Sequence, residues 1–139
     1  MWTYNQEVYA PCEEDLKLYI GFVYLITEVD TDMKYIGKKF FWKKVTKPPL
    51  KGRKNKRRSL AESDWQTYYG SNDKIKALIE SGQQDRFERQ ILRLCTTKGE
   101  CSYYEAKFQF DNNVLLRNDY YNGIISCRIN SSHLRNIKS

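Results

Sequence analysis

The chain has 139 residues, 40% of them hydrophobic and 14% aromatic, and its 24 Lys and Arg outweigh 17 Asp and Glu to leave a net charge of +7. That length supports one domain with a real core and not two. No apolar run approaches the eighteen or so residues of a membrane span, and the start, Met1-Trp-Thr-Tyr-Asn-Gln-Glu7, lacks the basic lead and apolar stretch of a signal peptide, so an intracellular protein without a membrane partner is expected.

In chain order, residues 1–18 read as a polar, irregular lead-in. The apolar run Tyr19-Ile-Gly-Phe-Val-Tyr-Leu-Ile26 predicts a buried strand, the polar stretch Glu28-Val-Asp-Thr-Asp32 a turn, and residues 33–38 a second strand. Strands joined by so short a connection are antiparallel neighbours. From Lys43 to Arg58, nine of sixteen residues are Lys or Arg and none is acidic. With Pro48-Pro49 and Gly52 this stretch predicts a loop, because prolines and like charges oppose both helix and sheet. Residues 59–69 predict a short helix stopped by Gly70. A second helix is expected over 72–81, capped by Ser71, with Ile75, Leu78 and Ile79 on one face. Phe87–Leu94 reads as a third strand with imperfect alternation. Thr97-x-x-Glu100 is a capping box opening a helix to about Phe110. Tyr120-Tyr-Asn-Gly123 predicts a turn, and 124–129 a further strand. The elements describe an α+β fold, a small antiparallel sheet flanked by helices.

Cys12, Cys95, Cys101 and Cys127 contain no Cys-x-x-Cys pair. A zinc site from Cys95, Cys101 and His133 is one arrangement; buried free thiols are the better reading. The basic run suits a polyanion, most often nucleic acid. A solvated loop and an import signal at Lys54-Asn-Lys-Arg-Arg58 are the alternatives.

Phe22-Val23-Tyr24, with Gly21 one place earlier, and Tyr35-Ile36-Gly37 lie on the expected hairpin with their tyrosines eleven residues apart. Further along stand Thr67-Tyr-Tyr-Gly70, Ser102-Tyr-Tyr-Glu-Ala-Lys107 and Tyr120-Tyr-Asn122. In this order the motifs resemble the GIY-YIG nuclease family over residues 19–125, with 43–58 as a basic insertion and 126–139 as a tail. The first tripeptide departs from Gly-Ile-Tyr. The resemblance implies a central three-stranded antiparallel sheet with helices around it. It also implies metal-dependent hydrolysis of DNA phosphodiester bonds with one Mg²⁺ or Mn²⁺ per active site, in a free-standing homing or phage-encoded, repair or restriction enzyme of a bacterial or phage-infected host.

Carried over residue by residue, the resemblance makes Glu105 the metal ligand; its rival role is a helix cap at Ser102-x-x-Glu105. Tyr24 would help activate the attacking water. A phenol with a pKa near 10 needs a nearby cation for that, which Lys38 and the metal could supply. Tyr35 would orient water or phosphate. Lys38 is the basic residue after the second signature, with Lys39 as its neighbour on the opposite face. Tyr69 matches the additional tyrosine, with Tyr68 its rival, and Asn122 the structural asparagine. The family's arginine is absent from its usual place. Arg57 or Arg58 is expected to supply it, Arg53 less so, since a guanidinium clamps phosphate by two hydrogen bonds. Lys43, Lys44, Arg53, Lys54, Lys56 and Arg58 are expected to contact nucleic acid. Cutting both strands would take a homodimer or a second encounter. The alternative is a non-catalytic basic DNA- or RNA-binding protein.

Overall fold

The computed structural model describes residues 1–55 and 57–137. Its centre is the expected hairpin, β3 (Gly21–Glu28) and β4 (Met33–Phe40), labelled after two N-terminal strands, β1 (Trp2–Tyr4) and β2 (Glu7–Val8). β3 is apolar from Gly21 to Ile26 because both of its faces are covered. Phe22, Tyr24 and Ile26 enter one core with Trp2, Trp65, Ile75 and Ile91; Val23 enters a second with Ile36, Cys95, Cys101 and Val114.

β7 (Phe87–Cys95) pairs antiparallel with the other side of β3, and β1 pairs parallel with β7, giving the order β2-β1-β7-β3-β4. The expected three-stranded antiparallel sheet is therefore only the β7-β3-β4 part of a mixed five-stranded sheet. The lead-in contributes its other two strands and buries Trp2, whose indole N–H donates to the Trp65 carbonyl at 2.7 Å. It also forms a short helix, α1 (Glu13–Lys17). The imperfect alternation of β7 has a structural cause. Register shifts at Val23/Tyr24, so that Ile91 and Arg93 face consecutive β3 residues and Leu92 is the extra residue of a bulge.

The basic stretch is a loop only over its middle, residues 48–55, and its ends are strands. β5 (Trp42–Lys47) and β6 (Arg57–Glu62) form a separate two-stranded antiparallel ribbon, paired from Trp42↔Glu62 at its root to Lys47↔Arg57 at its far end. Pro48 and Pro49 sit in the connection, where they cost no ladder hydrogen bond. The helix expected over 59–69 is replaced by β6 and a single 3-10 turn, Trp65–Thr67, which turns the buried Trp65 inward against Phe41.

Helix α2 (Asp73–Glu80) follows, capped by Asn72, whose side-chain oxygen accepts from the amides of Lys74 and Ile75. α3 (Lys98–Asp111) is capped by Thr97 as expected. α1 and α2 bury Leu16 and Ile75 on one face of the sheet, and α3 covers the other with Cys101. Residues 124–129 form no strand. Residues 119–122 instead run along the outer edge of β4, with a parallel bridge Lys34↔Tyr120 and hydrogen bonds from the Lys34 amide to the Asp119 carbonyl and from the Tyr121 amide to the Lys34 carbonyl. Among the described residues, no helix is long and apolar enough to cross a membrane.

Candidate active site at the edge of the sheet

Residues directly opposite on β3 and β4 share a face. Tyr24↔Gly37 and Ile26↔Tyr35 therefore put both signature tyrosines on the face covered by α2, and their rings lie 6.2 Å apart. Gly37 is needed for this contact, because a Cβ there would come within 2.5 Å of the Tyr24 Oη. Gly70, at φ +91°, closes in from above, where a Cβ would lie 3.4 Å from the same oxygen. Tyr35 is held by a 2.9 Å hydrogen bond between its Oη and Ser71 Oγ, so Ser71 serves the tyrosine and leaves the helix cap to Asn72.

Of the Tyr68-Tyr69 pair, Tyr68 meets the signature. Its ring packs edge-on against Tyr24 at 5.9 Å, and Lys39 Nζ lies 4.1 Å over its ring. Tyr69 points elsewhere, against Phe87 and the guanidinium of Arg89. Consecutive residues in extended backbone take opposite directions, and Arg89 fixes which one turns inward by donating to the carbonyls of Gln66 and Tyr68, both at 2.9 Å. Arg89 was not singled out from sequence; a charged residue at an inward position of a strand is the one trace it leaves there.

On the opposite face, Lys38 projects from β4 to α3, where its Nζ lies 3.6 Å from Glu105 Oε1 and donates to Ser102 Oγ at 3.0 Å. Ser102 is thus a lysine partner, and the helix cap belongs to Thr97, three residues before Glu100. Lys39, on the tyrosine face, pairs with Asp64 at 2.7 Å.

The two faces communicate round the β4 edge. Burial first, then Tyr68 and Tyr35, pushes the Tyr24 phenol well above its ordinary value, and the Glu105 charge adds to the rise. Burial and Glu105 also raise Tyr35, against the opposing hydrogen bond to Ser71. Glu105 itself is pushed up by burial and drawn back by Lys38. Asn122 sits at the same edge. Its side chain accepts from the Ile36 amide at 3.0 Å and donates to the Ile36 carbonyl at 2.8 Å, while Gln109 donates to that carbonyl at 2.9 Å. These bonds hold the residue between the second tyrosine and Gly37.

Lys43, Lys44, Arg53 and Lys54 are exposed on the ribbon and its connection. Arg57 and Arg58 open β6 opposite Lys47 and Thr46; their side chains, and Lys56 altogether, lie outside the described residues. Cys95 and Cys101 are buried free thiols in contact with each other, and His133 accepts at Nδ1 from the Asn130 amide. Among the described residues no three His, Cys, Asp or Glu side chains group as a ligand set. Glu105 stands as a lone carboxylate, part-buried beside a lysine. That donor set is wrong for a closed zinc site and fits a hard, hydrated cation that takes one carboxylate and completes its shell with water and phosphate oxygens.

A family model described as "Putative endonuclease segE, GIY-YIG domain" matches residues 2–125. No curated protein and no solved structure matches the chain.

Proposed function

Because the chain belongs to this GIY-YIG endonuclease family, we propose that it is a metal-dependent DNA endonuclease whose catalytic groups meet at the β4 edge around Gly37. What supports the proposal is the meeting of two sets of groups there: the phenols of Tyr24, Tyr35 and Tyr68 from one face, with Tyr24 and Tyr35 against Gly37, and from the other the Glu105 carboxylate 3.6 Å from Lys38, the next residue of the strand.

Glu105 would hold the divalent cation, Mg²⁺ or Mn²⁺, with one ion per site. Such an ion supplies Lewis-acid neutralisation of the phosphate and a more acidic water. The chain's own groups do the rest. Tyr24 keeps its proton on Oη at neutral pH, so it orients the attacking water as a hydrogen-bond partner; it takes a proton from that water only once positive charge beside it has released its own proton to solvent. Tyr35, set by Ser71, orients the phosphate. Lys38 offsets Glu105 and the charge gathering on the phosphate. Tyr68 takes the place beside Tyr24 that the motif order assigned to Tyr69, and Tyr69 packs on Arg89. Arg57 is the proposed phosphate clamp, with Arg58 and Arg53 as alternatives. Its backbone lies at the far end of the ribbon, so the ribbon must lie along bound DNA for the clamp to operate. One site per chain cuts one strand; cleaving both would take a second copy or a second encounter.

The test is a labelled DNA duplex bound under EDTA and then supplied with Mn²⁺. Wild type should bind and then cleave, and Glu105→Ala should bind at least as well and leave the strand whole. Cleavage by neither protein, with binding intact, would replace the nuclease reading with that of a basic nucleic-acid-binding protein.

A further inference from the structure

Where the ribbon leaves the body, a cleft of about 370 Å³ collects five lysines, Lys38, Lys39, Lys43, Lys44 and Lys98, over a floor that includes Phe40. We infer that this cleft binds the sugar-phosphate backbone of the DNA strand next to the scissile group, with Lys44 and Lys98 as phosphate contacts; the inference rests on the proposed nuclease function.

The cleft gathers charge from separate parts of the chain. Lys43 and Lys44 come from β5, Lys38 and Lys39 from the end of β4, and Lys98 from the first turn of α3, forty residues beyond the basic run. Only two of the five are neutralised nearby, Lys39 by Asp64 at 2.7 Å and Lys38 by Glu105 at 3.6 Å. Among the described residues, Lys43, Lys44 and Lys98 have no ion-pair partner. Lys98 Nζ lies 5.6 Å from the centre of the Phe40 ring, a cation-π contact that holds the ammonium at the cleft. Asp64, already paired with Lys39, lies close enough to Lys43 to feel its charge, but one carboxylate does not balance the cluster; the like charges repel one another, and a polyanion threading between them relieves the repulsion. Its size is that of an ordinary ligand pocket. Lys38 belongs both to the cleft and to the Glu105 pair, so one strand can pass through the cleft and reach the β4 edge without a gap.

The test compares Lys44→Ala/Lys98→Ala with Lys74→Ala/Lys76→Ala, which removes two exposed charges from α2. Binding to a labelled duplex is followed by fluorescence anisotropy under EDTA at several salt concentrations. Each lost phosphate contact lowers the log-log salt slope by about 0.9. The cleft variant should lose about two units of slope, the α2 variant almost none, and Lys44→Arg/Lys98→Arg should restore the wild-type value. Equal losses in the two alanine variants, or no loss in either, would overturn the cleft. All these residues are exposed, and a melting curve for each variant confirms that folding is unaffected. Wild-type cleavage is scored separately. A cleaving enzyme with an unchanged slope keeps the nuclease reading and discards the cleft; a lost slope in a protein that never cleaves keeps the cleft as a nucleic-acid site and discards the nuclease.

Discussion

Tyr24 reaches its place because Gly37 has nothing to put there. The 2.5 Å approach of a Cβ to the Tyr24 Oη means that Gly37→Ala must push the phenol or the strand aside. Overpacking of this kind costs about 1–3 kcal/mol. The expected outcome is a thermal midpoint several degrees lower together with a disproportionate loss of cleavage; a variant that melts earlier yet cleaves at the wild-type rate would mean that Tyr24 is only a core residue. Glu28 is a second decisive residue, away from the chemistry. Its buried carboxylate accepts from Tyr121 at 2.6 Å and Thr31 at 2.8 Å and pairs with Arg86. The Tyr121 hydrogen bond, with Thr31 and Arg86, holds it below its ordinary 4.5. A carboxylate whose folded pKa is depressed contributes stability that is full above the unfolded value and is lost as pH falls through the folded one. Unfolding free energy should therefore decline below about pH 4.5, and Glu28→Gln should flatten that decline while lowering stability at neutral pH by about 2 kcal/mol. Denaturant melts across pH 3–7 would check both. Because Tyr121 is the neighbour of Asn122, the same bonds seat the asparagine that grips Ile36.

The ribbon is the element that sequence patterning hid. Its prolines and charges argue against sheet when read as one stretch, yet the prolines are confined to the connection, and the lysines of β5, Lys43, Lys44 and Lys47, are exposed and meet no core. An isolated two-stranded ribbon is marginally stable in water, and this one is loaded with positive charge. Replacing Lys47, Lys51, Arg53 and Lys54 with alanine should weaken DNA binding and shrink the salt slope by about three to four units; an unchanged slope would make the ribbon a bystander. The other elements were readable in proportion to how local their causes are. The β3-β4 hairpin, α2 and α3 follow from a short turn, side-chain caps and apolar spacing. The bulge at Leu92 shows in the sequence as broken alternation in β7 without its reason, which is the pairing with β3. The short strand β1 could not be read at all, because its three residues have only the two-residue β2 as a local partner and join the sheet by lying parallel to β7, some ninety residues further along the chain.

At the scale of the molecule, the sheet keeps two cores apart and its β4 edge reunites them. The tyrosines belong to one face and the Glu105-Lys38 pair to the other, and residues 119–122 brace that edge up to Ile36, next to Gly37. The order of the motifs along the chain pointed to most of these residues, since each lies in a local pattern on a hairpin or a helix. It pointed to Tyr69 where Tyr68 meets Tyr24, because the choice is made by Arg89 from a distant strand, and it left Lys98 unmarked, because a single lysine at a helix start carries no local signal. On the proposed function, the groups at this edge form one hydrolytic site around Glu105. The decisive experiment is relaxation of supercoiled plasmid in Mg²⁺ or Mn²⁺, with wild type set beside Glu105→Ala and an EDTA control. Conversion to open-circle or linear DNA is expected from wild type with metal alone; cleavage by Glu105→Ala at the wild-type rate would remove Glu105 from the site.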